Sequence, residues 1–370
     1  MQKTSELPKL NYIDSLRGVA ILMVIIVHTS QSITGLNRYA NLLLDYGKTG
    51  VQLFFILSAF TLCLSMTKRH DGNLNFYIRR YFRIAPLYYI AIPMYFLLTH
   101  FIKWPYRNGV SLYSSFSYFN IICNFLFIHG LVPSANNTIV PGGWSIGAEM
   151  LFYLVFPLIF KIYSRVTDIR MYFIIPLFGL LISVVYSITC YKILKINSDV
   201  LTRFCFYNIL NQLPVFLLGM SLYYLKLNIK NIYSFVLFIV LFPLSFVSSS
   251  VFKHDIAIHN FIAGLSFIFL FMLFKNIRQL NVKVLSCIGQ LSFSIYIFHF
   301  VFAWALSSYL DSTLHINPYL SLAVCIISTL LLSCLIASLS EKYIEGPGIK
   351  LGRLLTTKTS TGQKNPTRSV

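Results

Sequence analysis

The sequence predicts an all-α polytopic membrane protein: a bundle of about ten transmembrane helices, both termini cytoplasmic. Three observations carry this. Hydrophobic residues make up 56% of the 370 and charged residues only 11%, against about 25% in soluble domains. The mean hydropathy of +0.70 is more apolar surface than one soluble core hides, so lipid serves as solvent. The net charge of +19 sits in short loops between apolar runs. That pattern sets membrane topology rather than marking a nucleic-acid face.

Spans of roughly twenty mainly apolar residues fall at 12–32, 47–66, 82–101, 144–160, 171–191, 204–225, 233–251, 257–274, 288–309 and 318–340. Lys3 and Lys9 precede the first run as in a signal peptide, but no small-residue cleavage site follows. It reads as an uncleaved first helix. An eleventh stretch, 118–132, is short and polar at both ends. With a cytoplasmic N-terminus, the loop carrying Lys68, Arg69, Arg79, Arg80 and Arg83 lies inside. The Lys161–Arg170, Lys226/Lys230 and Lys275–Lys283 loops join it only if 118–132 does not cross. Residues 102–143 then form one long external segment, too aromatic for disorder, and 118–132 is a candidate to dip into the interface. The membrane domain covers 1–352, and the Thr/Ser/Lys/Arg-rich stretch 353–370 reads as a disordered cytoplasmic tail.

No zinc-ligand spacing, GxxxxGK[ST] loop or GxGxxG turn occurs, so no metal is expected, nor nucleotide hydrolysis or dinucleotide binding by the usual motifs. The seven cysteines are scattered without a CxxC pair and read as reduced packing residues. Cys190 and Cys205 could share a membrane face, but a disulfide is not the expectation.

An ionisable side chain inside a span costs about 2.5–3.5 kcal/mol on insertion scales and is a functional candidate by default. In the first span, Arg17 and His28 are eleven residues apart. They share a helix face within about 20° and stand about 16 Å apart along the axis. The alternatives are a snorkelling Arg17 and a hydrogen-bonded packing His28. Asp14 lies one turn before Arg17. The second span opens Gly47-Lys-Thr-Gly50 and carries Ser58, with close helix packing and a back-bonded Ser58 as the structural alternative. Arg80 and Arg83 share a face at the mouth of the third span, where guanidinium forks suit phosphates or serve as a positive-inside anchor. Trp144-Ser145-Ile-Gly-Ala-Glu149 sets Ser145 and Glu149 at i,i+4. Ser292, Tyr296 and His299 form one polar stripe on the ninth span.

These blocks resemble the acyltransferase type 3 family. They are Asp14-x-Leu-Arg17-Gly18 with His28, Gly50-Val-x-x-Phe-Phe-Ile-x-Ser58 and Arg80-x-x-Arg83-Ile-x-Pro86, followed by Trp144-Ser-Ile-x-x-Glu149-x-x-Phe-Tyr153, Ser292-Phe-Ser-Ile-Tyr296-x-x-His299 and Ile344-Glu345-x-Pro347. They occur in the family's order over residues 10–350. Ala59 stands where the family usually has Gly, and Gly346 sits inside the last motif. Both departures concern packing.

The resemblance implies a membrane-bound O-acyltransferase, with no permanently bound cofactor and acetyl-CoA as co-substrate. The acyl group would pass from the cytoplasm to a hydroxyl of a surface polysaccharide such as lipopolysaccharide O-antigen, or of a lipid-linked sugar, across a bacterial inner membrane. On that footing His28 is the expected general base, with Glu149 and Ser145 beside it. Arg17, Arg80, Arg83 and Ser58 would bind the donor, and Asp14, Trp144, Ser292, Tyr296 and His299 are candidate cavity-lining residues. The partners are then donor, glycan and membrane lipids, with no nucleic acid. A lipid-linked-sugar transporter and a non-catalytic part of an export assembly are the rival readings; the lack of an inverted repeat argues against the transporter.

Overall fold

Among the described residues, ten helical stretches are long and apolar enough to cross a bilayer, and they coincide with the ten expected spans. The structure is a computed structural model that describes residues 10–69, 72–101, 116–190, 199–251, 256–311 and 317–362. It is helical, with no strand among the described residues.

The order is α1 (Asn11–Ser30), α2 (Arg38–Asp45), α3 (Gly50–Arg69), α4 (Asn73–Phe101), α5 (Tyr118–Phe125), α6 (Gly143–Ser164), α7 (Met171–Ile188) and α8 (Asp199–Tyr207). There follow α9 (Ile209–Leu225), α10 (Asn231–Val251), α11 (Ile256–Asn276), α12 (Lys283–Gln290), α13 (Ser292–Tyr309), α14 (Pro318–Ser340) and α15 (Gly346–Gly362). The sixth span is α8–α9, broken at Asn208, whose side chain caps α9 by accepting from Leu210 N at 3.0 Å. The ninth is broken at Leu291, between α12 and α13.

The packing is inverted relative to a soluble protein. On α7 the exposed face is Ile174, Leu177, Phe178, Leu181 and Val185, at the 3.6-residue period of a helix that greets lipid. Its buried face is Gly179, Ser183 and Ser187. Both serines donate to Asn211 Oδ1 on α9, at 2.8 and 3.0 Å. Apolar residues gain nothing by leaving lipid, so small and polar ones make the helix contacts.

α1 sits centrally, packed against α3, α11, α12, α13 and α14. Its crossing with α12 is backbone on backbone. A Cβ on Gly289 would fall 1.7 Å from the Asp14 carbonyl oxygen, and one on Gly18 would fall 2.2 Å from that of Leu285. Gly50 of α3 approaches Ala20 almost as closely, its Cβ position 2.5 Å from the Ala20 oxygen.

The stretch 118–132 forms no helix long enough to cross a bilayer. α5 is followed by a 3-10 turn at His129–Leu131, and Ala135, Ile139 and Val140 are buried. The chain therefore re-enters the fold, and α6 begins inside it. Tyr88, midway along α4, holds Asn124 Oδ1 at 2.7 Å, and His129 Nε2 donates to Gly143 O at 3.0 Å. Part of the expected external segment, 102–115, lies outside the described residues.

One sequence expectation changes, and the expected reduced state of the cysteines holds. The tail expected to be disordered from 353 is helical to Gly362, because α15 packs on α4 through Gly348 and Gly352 against Phe82 and Pro86; residues 363–370 lie outside the described residues. Cys190 and Cys205 are free thiols that neighbour each other and Tyr186.

Candidate functional site

Five helices converge on one cavity of about 730 Å³, open mouth included. α1 contributes Arg17, α3 Ser58, α4 Arg80 and Arg83, α6 Ser145, Glu149 and Tyr153, and α13 Ser292 and Tyr296. α3 and α6 also supply Phe55 and Ile146 as apolar wall.

The cavity is strongly basic. Arg17 pairs with Asp14 at 3.3 Å, and Asp14 is held in turn by Gln290 Nε2 at 3.3 Å. Among the described residues neither Arg80 nor Arg83 has a carboxylate within 4.0 Å. Arg80 lies instead over the rings of Phe76 and Tyr153, 5.9 and 5.8 Å from their centroids. This cation–π setting holds the guanidinium without neutralising it. Among the described residues, the one carboxylate on the cavity wall, Glu149, is engaged otherwise. Its Oε1 accepts from Ser58 Oγ and from Tyr153 OH at 2.5 Å. Three guanidiniums around one carboxylate leave the cavity with an excess of positive charge, which suits an anionic ligand chemically.

At the far end stands Tyr296. Its hydroxyl accepts from Ser145 Oγ at 2.8 Å and donates to Gly142 O at 3.0 Å. Gly142 takes φ 75° at the start of α6, and a side chain there would strike the Tyr296 hydroxyl at 2.8 Å. This tight join locks α6 to α13 at that end of the cavity.

His28 lies beyond this wall and does not line the cavity. Its ring packs 5.3 Å from His299, 4.3 Å from Phe300 and 6.4 Å from Trp304, between centroids. His28 Nδ1 meets Gln31 Oε1 at 3.2 Å. The contact makes Nδ1 the donor and leaves Nε2 as acceptor. His299 is fully buried, 5.7 Å from the Tyr296 ring.

The expected residues thus divide. Arg17, Ser58, Arg80, Arg83, Ser145, Glu149, Ser292 and Tyr296 share the cavity, whereas His28 and His299 form a pair behind it. Glu149 meets Ser58 and Tyr153 rather than His28. Asp14 acts through Arg17, and Trp144 stacks on Tyr207 at 4.4 Å, outside the cavity. Sequence reasoning left Tyr153 out of the site, although it stands at i+4 from Glu149, where the helical period puts it on the same face. Phe300 and Trp304 around His28 carried no comparable signal, because aromatic residues in an apolar span look like packing.

His129 props the re-entrant chain outside the spans. Burial pushes its imidazole down to about 4, partly opposed by its bond to the Gly143 carbonyl. It is a neutral strut at physiological pH.

No solved structure matches the chain. It is 26% identical over 130 residues to a protein named acyltransferase MdmB from Streptomyces mycarofaciens, covering 34% of this chain and 32% of that relative. The chain thus matches about a third of the relative's length. The family model of the acyltransferase domain matches residues 10–338, from the start of α1 almost to the end of α14. The basic cavity and the histidine pair both lie inside that match, and the chain belongs to the acyltransferase type 3 family.

Proposed function

We propose that this multi-pass membrane acyltransferase takes an acetyl group from cytoplasmic acetyl-CoA and places it on a hydroxyl of a bacterial surface polysaccharide such as O-antigen. Both termini face the cytoplasm of the inner membrane. The observation that supports this most is the pair Arg80 and Arg83, which lack a carboxylate partner among the described residues, at a cavity that Arg17 also lines. The phosphates of a coenzyme A donor supply the missing charge. Its extended arm then points along the cavity toward Tyr296.

Arg17 and His28 lie about 16 Å apart on one helix face, so phosphates at the first set the thioester near the second. Neutral His28 takes the proton of the acceptor hydroxyl as general base. The hydroxyl oxygen attacks the thioester carbonyl, the new C–O bond forms, and the C–S bond breaks. Ser145 and Tyr296 at the cavity end are the nearest hydroxyl donors for the developing oxyanion. Glu149 holds Ser58 and Tyr153 and keeps the cavity polar.

The test is transfer of label from acetyl-CoA to isolated surface glycan by the purified chain in lipid nanodiscs. Wild type is expected to transfer, and His28→Ala to insert and fold but not transfer. A folded wild type that moves unacetylated lipid-linked sugar instead supports the transporter reading. Normal acetylation by His28→Ala removes the base from the proposal.

A further inference from the structure

The acyl-transfer reading leaves one proton unplaced. His28 takes it from the acceptor hydroxyl, while the thiolate released by C–S cleavage needs one on the donor side. A second buried imidazole, His299, lies 5.3 Å from the His28 ring.

His299 is held at one nitrogen and empty at the other. Its Nδ1 donates to the carbonyls of Tyr296 at 2.8 Å and Ile295 at 3.2 Å. The proton of the neutral ring is therefore on Nδ1, and Nε2 keeps its lone pair. That Nε2 is buried with no hydrogen-bond partner among the described residues. Burying an acceptor unpaired costs free energy. The order of side chains gives it a use. Tyr296 lines the cavity, the His299 ring lies 5.7 Å from the Tyr296 ring, and the His28 ring lies 5.3 Å further on. The two histidines come from different helices, α13 and α1, so the fold brings them together.

We propose that His299 is a second catalytic imidazole, relaying the proton from His28 to the leaving thiolate; this rests on the acyl-thioester reading above. The acceptor O–H proton passes to His28 as the C–O bond forms and the C–S bond breaks. The His28 imidazolium then protonates Nε2 of His299, which gives the same proton to the thiolate sulfur. Both imidazoles end neutral and the donor leaves as free thiol, so no further reagent is needed.

The test compares two donors with the purified full chain. Acetyl-CoA releases a basic alkyl thiolate. S-acetyl-thionitrobenzoate releases a thiolate stable without a proton. His299→Asn keeps an amide N–H for the Tyr296 carbonyl and removes only Nε2; its elution profile and Tm are expected to match wild type. With acetyl-CoA, kcat is expected to fall about 100-fold or more, within the span of general acid–base catalysis, with KM unchanged. With the aryl thioester the variant is expected to keep nearly the wild-type rate, whereas His28→Asn loses both. Equal loss on both donors, unchanged turnover of acetyl-CoA, or a rise in KM alone overturns the relay. Should wild type refuse the aryl thioester, the split between kcat and KM with acetyl-CoA decides. A folded wild type that uses neither donor overturns the acyl-transfer reading itself.

Discussion

Arg80 and Arg83 are three residues apart and line the same cavity as Arg17 of α1, so one polyanion can reach all three. Their spacing is legible in the sequence; the absence of a carboxylate partner among the described residues is not. Removing one charged hydrogen-bonding group costs about 1.5–3 kcal/mol of ligand binding. Arg83→Ala is therefore expected to raise the donor KM by at least about tenfold with kcat little changed, measured by steady-state kinetics. An unchanged KM moves the donor phosphates elsewhere. At Glu149, Gln retains an acceptor for Ser58 and Tyr153 while Ala does not. Glu149→Gln is expected to keep the fold and Glu149→Ala to lower Tm. His129 gives the pH prediction. Its pKa is about 4 in the fold against 6.5 for the ordinary group, so the unfolded chain binds the proton first. Stability is full above about pH 6.5 and falls as pH drops toward 4. Between pH 7.5 and 5 the loss from this residue is about 2 kcal/mol. The thermal midpoint of His129→Asn is expected to change less over that interval than that of wild type.

The helices show why local pattern reads some features and not others. The lipid face of α7 repeats at the helical period, which makes the span obvious. Its serines and glycine look unremarkable until Asn211 of α9 is set against them. Gly18 appears in the sequence as a motif residue, and only the crossing with Gly289 explains it. A methyl group at Gly289 collides with the Asp14 carbonyl, and overpacking of that kind costs about 3 kcal/mol. Gly289→Ala is expected to lower Tm and to disturb Asp14 and Arg17, so donor KM rises with it. A variant with wild-type Tm and kinetics would show the crossing to be slack. The start of α6 inside the fold was equally hidden. Gly142 at φ 75° and the buried chain before it set Ser145 and Glu149 at the depth of Tyr296 and the arginines.

At the scale of the whole molecule, charge distribution supports one orientation. Lys68, Arg69, Arg79, Lys161, Arg165, Lys275 and Lys283 lie at helix ends that alternate crossing gathers on one side. A cysteine placed at Lys68 or Lys161 in a background without reactive thiols is expected to resist an impermeant maleimide in intact cells and to label after permeabilisation. One placed in the 32–37 loop is expected to label in intact cells. The reverse pattern would invert the protein and put the arginine cavity on the outer side, away from a cytoplasmic donor.

The sequence by itself determined the ten apolar helical stretches, the shortness of the 118–132 segment and most of the polar residues that line the cavity. Each of these is a local or periodic property: hydropathy over a helix length, loop charge, or side chains a turn apart. Tertiary structure alone decided how the site divides. Glu149 turns to Ser58 and Tyr153, the arginines share a cavity, and His28 stands behind Tyr296 beside His299. Those partners lie on different helices, and their meeting depends on backbone crossings such as Gly18 on α12 and Gly142 on Tyr296. Spacing along one helix carries no information about which face of another it will meet.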